Sequence, residues 1–252
     1  MRGGDRDHIG SLEKGLAVIA AFSASHPRLT LAQAARKTGL TRATVRRHLL
    51  TLEALGFAES DEQHYWLTPR VLRLGYAYLS STPLPKIAQP ILDEIGERTK
   101  EVASLAILDG AEVVFLGHSS TRRFVAASTS VGLRLPAYCT ALGRAILAHR
   151  PEADVERFLA NVELRRFTPH TKIAPDEIRA AIAQARSLGY SVSDEELEIG
   201  LRSIAIPVAN SRSQVQLGLA VSLHAAHMTG DEMIRDILPE LRAGRAILET
   251  MI

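Results

Sequence analysis

The stretch Leu31-Ala-Gln-Ala-Ala-Arg-Lys-Thr-Gly-Leu-Thr-Arg-Ala-Thr-Val-Arg-Arg-His-Leu49 decides how the chain is read. It has the spacing of two short helices joined by a tight turn. With Leu31 in first place, Ala35 stands fifth, Gly39 ninth and Val45 fifteenth. A small fifth residue lets the helices approach closely, and glycine in ninth place supplies the left-handed backbone of the turn. Val45 fills the angle between the helices. Thr30 caps a helix over Leu31–Thr38, and Thr41 caps a second helix that turns Val45, Leu49, Leu52 and Leu55 inward. The same helix turns Thr41, Arg42, Ala43, Thr44, Arg46 and Arg47 outward. That is the arrangement of a recognition helix, whose first residues reach base edges in the major groove. Arginine can grip guanine with two hydrogen bonds, and threonine can bond a base or a phosphate.

Working outward, Ser11 caps an earlier helix with Leu12, Leu16, Ile19 and Phe22 at helical spacing, ending before Pro27. On the other side, 57–60 and 64–67 flank the polar turn Asp61-Glu62-Gln63 and read as a β-hairpin, the place of a wing. Thr68-Pro69 restarts a helix that continues to about 81. The two prolines of Thr82-Pro83-Leu84-Pro85 then mark the best boundary. The expected division is 1–68 for a winged helix-turn-helix, 69–85 for a linker helix and hinge, and 86–252 for a second domain. The candidate DNA contacts are Thr30, Gln33, Thr41, Arg42, Ala43, Thr44, Arg46 and Arg47, with His64 from the wing.

Charge agrees with a polyanionic partner. The net charge is +2 over 252 residues, yet residues 1–81 hold 11 of the basic side chains and only 7 acids. No acid falls between Glu13 and Glu53, where Lys14, Arg28, Arg36, Lys37, Arg42, Arg46 and Arg47 all fall. Such a surface attracts double-stranded DNA through counterion release. A solvated basic face would show the same charge pattern.

The second part opens with an amphipathic helix over 86–100. Strands are expected at 102–108 and 112–118, joined by Asp109-Gly110-Ala111, and further strands at 124–128 and 133–135. Helices are expected at 141–149, 153–161 and Pro175–Leu188. Two late strands, 203–208 and 216–223, flank a polar turn near 210–213. A last helix opens at Thr229 or Gly230, with a possible bend at Pro239. Strands mixed with helices give an α+β class.

Apolar residues make up 46% of the chain, enough for a substantial core. The longest apolar runs are too short to span a bilayer, and the first residues lack the apolar run of a secretory signal. A cytoplasmic protein is expected. The single cysteine, Cys139, rules out an internal disulfide and a cysteine-rich zinc site. His224 and His227, with Asp231 and Glu232 nearby, read as a polar strand end or, less simply, as metal ligands; neither metal nor cofactor is expected. Phosphate-binding loops, nucleophile elbows and dinucleotide glycine fingerprints do not occur.

Three runs carry a family resemblance over essentially the whole length. They are Ser11-Leu-Glu-Lys-Gly-Leu-Ala-Val-Ile19 with the helix-turn-helix, the run Leu133-Arg-Leu-Pro-Ala-Tyr-Cys-Thr-Ala-Leu-Gly-Arg-Ala-Ile-Leu147, and the run Gly189-Tyr-Ser-Val-Ser-Asp-Glu-Glu-Leu-Glu-Ile-Gly-Leu-Arg-Ser-Ile-Ala-Ile-Pro-Val208. On these the chain resembles the IclR family of bacterial regulators, and within it the branch that governs aromatic-acid catabolism through the β-ketoadipate pathway (Pca/Pob type). The resemblance implies a winged N-terminal domain, a linker helix, a GAF-like α/β effector domain, and dimers or tetramers on palindromic operators. It implies protocatechuate, 4-hydroxybenzoate or β-ketoadipate as effector. Carried over by position, the effector pocket includes Tyr138, Thr140, Ala141, Leu142, Glu195, Ser203, Ala220 and Ser222. The apolar Ala220 disfavours a very small acid.

An aromatic acid needs apolar walls and an anchor for its carboxylate. Backbone amides near 140–142 are one source of that anchor. Arg134 is another, unless it serves a structural ion pair, and the same choice holds for Arg202 with Glu195 or Glu196. Tyr138 is either a pocket wall or core. A rival reading makes the chain an enzyme on a small aromatic or keto acid, with Cys139 as nucleophile beside His118 or His149 and the basic domain serving only assembly. A third makes it a constitutive DNA-binding protein.

Overall fold

The computed structural model describes residues 8–23, 25–120, 130–209 and 217–252. They fall into two compact units, Met1–Ser81 and Thr82–Ile252. The strand expected at 124–128 and the turn near 210–213 lie outside the described residues.

The first unit is a three-helix core with a small wing. Its elements are α1 (Gly10–Ala20), α2 (Leu31–Thr38), α3 (Arg42–Ala54), β1 (Ala58–Ser60), β2 (Tyr65–Leu67) and α4 (Leu72–Ser81). Thr30 and Gln33 form a reciprocal capping box on α2. The turn to α3 passes through Gly39 at φ 69°, and the Thr41 hydroxyl accepts the Thr44 amide. Val18, Leu29, Ala34, Val45 and Leu49 are fully buried between the helices, each large one contributing about 1.5–3 kcal/mol over exposure. Leu29 pairs both ways with Tyr65, an isolated bridge that ties the segment before α2 to the wing.

Four details differ from the sequence reading. Helix α1 starts at Gly10, with Ile9 at its cap position and no side-chain cap, so Ser11 is already helical. The most buried small residue of α2 is Ala34, with Ala35 only partly buried. Leu55 is 54% exposed, because α3 ends one residue before it. Pro69 opens a single 3-10 turn over Pro69–Val71 before α4 begins.

The described residues of the second unit form a six-stranded sheet with helices on both faces. The unit contains α5 (Leu84–Thr99), β3 (Val102–Asp109), β4 (Glu112–His118), β5 (Arg134–Pro136), α6 (Ala141–Leu147), α7 (Glu152–Asn161), α8 (Pro175–Leu188), β6 (Ser191–Asp194), β7 (Leu201–Val208), β8 (Leu217–His224), α9 (Gly230–Asp236) and α10 (Leu238–Met251). The strand order is β5-β4-β3-β8-β7-β6, every neighbour antiparallel. Helices α5 and α10 bury Ile91, Leu92, Ile95, Leu241 and Leu248 against one face. Helix α6, backed by α7 and α8, buries Leu142, Ile146, Val155, Ile178 and Ile182 on the other. An added Cβ at Gly218 would stand 2.9 Å from Leu142, and one at Gly143 would stand 2.1 Å from the Ala137 carbonyl. Those glycines let α6 lie close on the sheet and on the 3-10 turn Ala137–Cys139.

Here too the edges shift. Helix α5 begins at Leu84 and includes Pro85 in its first turn, where no donor is missed. Strand β6 escaped notice because Ser-Val-Ser-Asp carries little β signal, yet Ser191 and Ser193 are buried. The last helix breaks at Ile237 into α9 and α10, with Pro239 in the first turn of α10.

Candidate functional site

Helix α3 presents the reading surface. Residues one turn apart share a face, so Val45, Leu49 and Leu52 point inward while Ala43, flanked by Arg46 and Arg47, points out; Thr41 and Arg42 are exposed at its start. Thr44 is half-buried, and its hydroxyl lies 2.9 Å from that of Thr41. Thr44 and Arg47 border a groove against Leu12, Gly15 and Leu16 of α1. Among the described residues no ion pair engages Arg36, Lys37, Arg42, Arg46 or Arg47, so five cations face solvent without internal neutralisation. Thr30 and Gln33 use their side-chain oxygens on each other's backbone amides.

The wing is held by its own polar contacts. Asp61 accepts the amides of Gln63 and His64, and the His64 amide in particular holds its carboxyl below the usual range. The His64 ring lies 3.6 Å from Asp61. Arg28 stacks 4.2 Å above the Trp66 ring, whose indole N–H donates to Glu59.

The second unit holds a cavity between the start of α6 and the sheet. Phe115, Leu133, Leu135, Leu142, Leu197 and Leu201 form its apolar walls, and Thr140, Ser193, Ser203 and Ser222 its polar lining, with Cys139, Ala141 and Ala220. The Ser203 and Ser222 hydroxyls lie 2.9 Å apart. Ser193 donates to the Cys139 carbonyl at 2.9 Å, and Thr140 accepts the Gly143 amide at 3.1 Å. Among the described residues no lysine, arginine, histidine or carboxylate lines it. The cavity is small, about 40 Å³, room for a few waters.

Of the nine candidate effector residues, six line this cavity: Thr140, Ala141, Leu142, Ser203, Ala220 and Ser222. Three do not. Arg134 lies on the exposed β5 edge, where its guanidinium is committed to Asp109 and Glu112, each at 2.7 Å. Tyr138 is core: its hydroxyl donates to the Arg165 carbonyl and accepts the Arg165 amide. Glu195 adopts φ 54° and accepts the Gly200 amide at 2.7 Å, which shapes the loop end. Arg202 likewise pairs with Asp194 rather than with Glu195 or Glu196.

The comparisons agree with this geometry. Residues 11–62 match the IclR helix-turn-helix domain, and 76–247 match the bacterial transcriptional regulator IclR C-terminal domain. The chain belongs to the IclR family. It is 44% identical over 241 residues to the Pca regulon regulatory protein of Pseudomonas putida, covering 95% of this chain and 83% of that one. It is 34% identical over 241 residues to the p-hydroxybenzoate hydroxylase transcriptional activator of Acinetobacter baylyi, covering 94% and 89%. A solved transcriptional regulator from Rhodococcus sp. RHA1 superposes with TM-score 0.79 at 41% identity, covering 96% and 98%. The relatives place this IclR-family chain in the Pca/Pob branch.

Sequence reasoning missed Arg144 and Glu196. Arg144 follows Leu142 on α6, and Glu196 precedes the wall residue Leu197; both are 2% exposed or less. Arg144 grips both carboxylate oxygens of Glu196, and Lys172 adds a third contact at 2.8 Å. Burial works against the charge on Glu196, but these donors outweigh it and hold its carboxyl below the ordinary range. The pair ties the loop that carries Leu197 to the helix that carries Leu142. The available signal was a lone arginine inside the otherwise apolar run Ala141–Leu147.

Proposed function

We propose that this IclR-family chain is a ligand-responsive regulator of aromatic-acid catabolic genes. In this reading α3 reads double-stranded operator DNA through Thr41, Arg42, Ala43, Thr44, Arg46 and Arg47. Thr30 and Gln33 set the first helix, and His64 approaches the backbone from the wing. The domains are 1–68, 69–85 and 86–252, with α4 in the linker segment.

The observation that carries the effector half is the cavity lining: apolar walls around hydroxyls, with no charged side chain among the described residues. A flat ring suits such walls, and the Thr140, Ser203 and Ser222 hydroxyls can hold one carboxylate. By this lining protocatechuate and 4-hydroxybenzoate suit the cavity better than β-ketoadipate, which would bring two carboxylates and no ring, and the walls must part beyond the present volume of about 40 Å³ to admit either ring. The names of the P. putida and A. baylyi relatives support the same class. Exposed Leu12 and Leu16 on α1 and Leu72 and Tyr76 on α4 support a homodimer or tetramer, since apolar patches of this kind mark contact surfaces. A cytoplasmic location follows from the DNA-binding role.

The enzyme reading loses its nucleophile. Cys139 is buried, and that burial pushes its thiol up to about 12, whereas a catalytic thiol needs a depressed value. The test is thermal denaturation and operator binding of the full chain with each of the three acids. A ligand at a hundred times its dissociation constant adds roughly 2.7 kcal/mol of stability. A melt and an operator affinity unmoved by all three acids would reject the effector class.

A further inference from the structure

Among the described residues of the second unit, two buried side-chain polar atoms have no hydrogen-bond partner: Ser104 Oγ and His118 Nδ1. They are neighbours. Ser104 on β3 pairs directly with His118 on β4 and, on its other side, with Ala220 on β8. Directly opposed residues of antiparallel strands project to the same face. Ala220 lines the effector cavity, so Ser104 and His118 lie on the same face of the sheet, next to that lining on the β4 side. Phe115, another wall residue, reaches the same face, because the register shifts between Leu105 and Ala106 and leaves Leu116 unpaired. Ser104 is only 1% exposed, and a buried hydroxyl without a partner is costly enough to call for an explanation.

The spacing explains what would meet them. Ser222 stands opposite Val102, two residues along β3 from Ser104, which makes Ser222 and Ser104 diagonal neighbours about 7–8 Å apart. That is on the order of the length of a benzene ring with a substituent at each end. A phenolic hydroxyl both donates and accepts. It can take a hydrogen bond from Ser104 Oγ and give one to His118 Nδ1, which satisfies both orphans at once.

We propose that Ser104 and His118 form a second polar subsite of the effector cavity, which receives a ring hydroxyl of an aromatic acid whose carboxylate is held near Thr140, Ser203 and Ser222. The proposal rests on the aromatic-acid reading and adds the basis for choosing hydroxylated over plain benzoates. A site built to bond a hydroxyl discriminates strongly against the analogue that lacks it.

The experiment is calorimetric titration of the full chain with benzoate, 3-hydroxybenzoate, 4-hydroxybenzoate and 3,4-dihydroxybenzoate. The wild type should bind at least one hydroxylated acid about tenfold or more tightly than benzoate. Ser104→Ala and His118→Phe should each erase most of that preference while benzoate affinity stays within about twofold, the mark of a lost hydroxyl contact. If His118→Phe does not fold, Ser104→Ala decides alone, because it removes a single buried oxygen. Parallel losses for benzoate and the hydroxybenzoates would show scaffold residues and overturn the subsite. An unchanged preference in Ser104→Ala would overturn it while leaving the aromatic-acid reading intact. A wild type that binds none of the four would overturn both.

Discussion

Arg144 and Glu196 meet as a two-pronged ion pair in the interior of the second unit, 52 residues apart in sequence, with Nη1 donating to Oε1 at 2.6 Å. Arg144 also donates through Nε to the Tyr138 carbonyl at 2.8 Å, and the Glu196 carboxylate also accepts the Lys172 ammonium at 2.8 Å and the Lys172 amide at 3.2 Å. The pair is thus satisfied on both sides. Removing one partner strands a buried charge, which costs about 3–5 kcal/mol. Glu196→Gln should lower the urea-unfolding free energy by that order and weaken effector binding, because Leu197 loses its anchor. The double change Arg144→Leu with Glu196→Leu should recover much of the stability, since apolar replacement of a whole buried pair is often neutral. A single variant as stable as wild type would mean that the pair tethers nothing.

The same pair predicts an acid limb. The folded Glu196 carboxyl lies below its ordinary value, so the folded state binds fewer protons there than the unfolded chain. Its stabilisation is full above the unfolded value of about 4.3 and fades as the pH falls through the lower folded value. Urea midpoints of the wild type should therefore drop below about pH 4–5, and the gap to Glu196→Gln should narrow over the same range. Other lowered carboxyls, such as Glu156 and Asp236, are exposed and common to both proteins, so the difference isolates Glu196. A gap that stays constant with pH would contradict the assignment.

How much was legible follows from the range of the interactions. The helix-turn-helix is local: Thr30, Gly39, Thr41 and Val45 act within a few residues, and the sequence reading found both helices and the wing at nearly their observed bounds. The cavity is assembled from β4, the turn before α6, β6, β7 and β8, so only the family resemblance could gather Thr140, Ser203, Ala220 and Ser222. For the same reason the sequence leaves Arg134 open between a ligand contact and an ion pair. A cationic residue in a strand says nothing of which side chains stand opposite, and here Asp109 and Glu112 take it up. Glu196 looked like one acid among Glu195, Glu196 and Glu198, and only its cross-chain partner marks it as buried.

The exposed arginines of α3 should separate by role. Arg42→Ala or Arg46→Ala should each cost about 1–3 kcal/mol at the cognate operator if they read bases, and relax preference at one position. A phosphate contact such as Arg47 should weaken all sequences alike and reduce the salt slope by about one. Fluorescence anisotropy across a salt series and a panel of operator variants distinguishes the two patterns. Full affinity in all three variants would remove α3 as the reading helix.

Gly143 should be the least tolerant position of α6. A Cβ there would overlap the backbone of Ala137 itself rather than a movable side chain. Gly143→Ala must therefore shift α6 away from the 3-10 turn that precedes it. Overpacking of a tight core commonly costs about 1–3 kcal/mol, and a backbone clash sits at or above the upper end. The displaced helix carries Ala141 and Leu142, so effector affinity should fall together with the melting temperature, while operator binding by the separate N-terminal unit should persist. A variant with wild-type melting would show that the turn can retreat without loss.

Cys139 provides the last discriminating measurement. Its sulfur is buried, its Sγ faces the Pro136 carbonyl at 3.8 Å, and its thiol is pushed up to about 12 chiefly by that burial, with the Arg144 charge only partly opposing it. Thiolate is the reactive form, so almost none is present at pH 8. Native protein should react with iodoacetamide or a disulfide reagent far more slowly than the unfolded chain, and effector should slow it further, because Cys139 lines the cavity. Cys139→Ala should bind operator and effector nearly as the wild type does. Rapid labelling of the native thiol at neutral pH would revive the nucleophile that the buried geometry argues against.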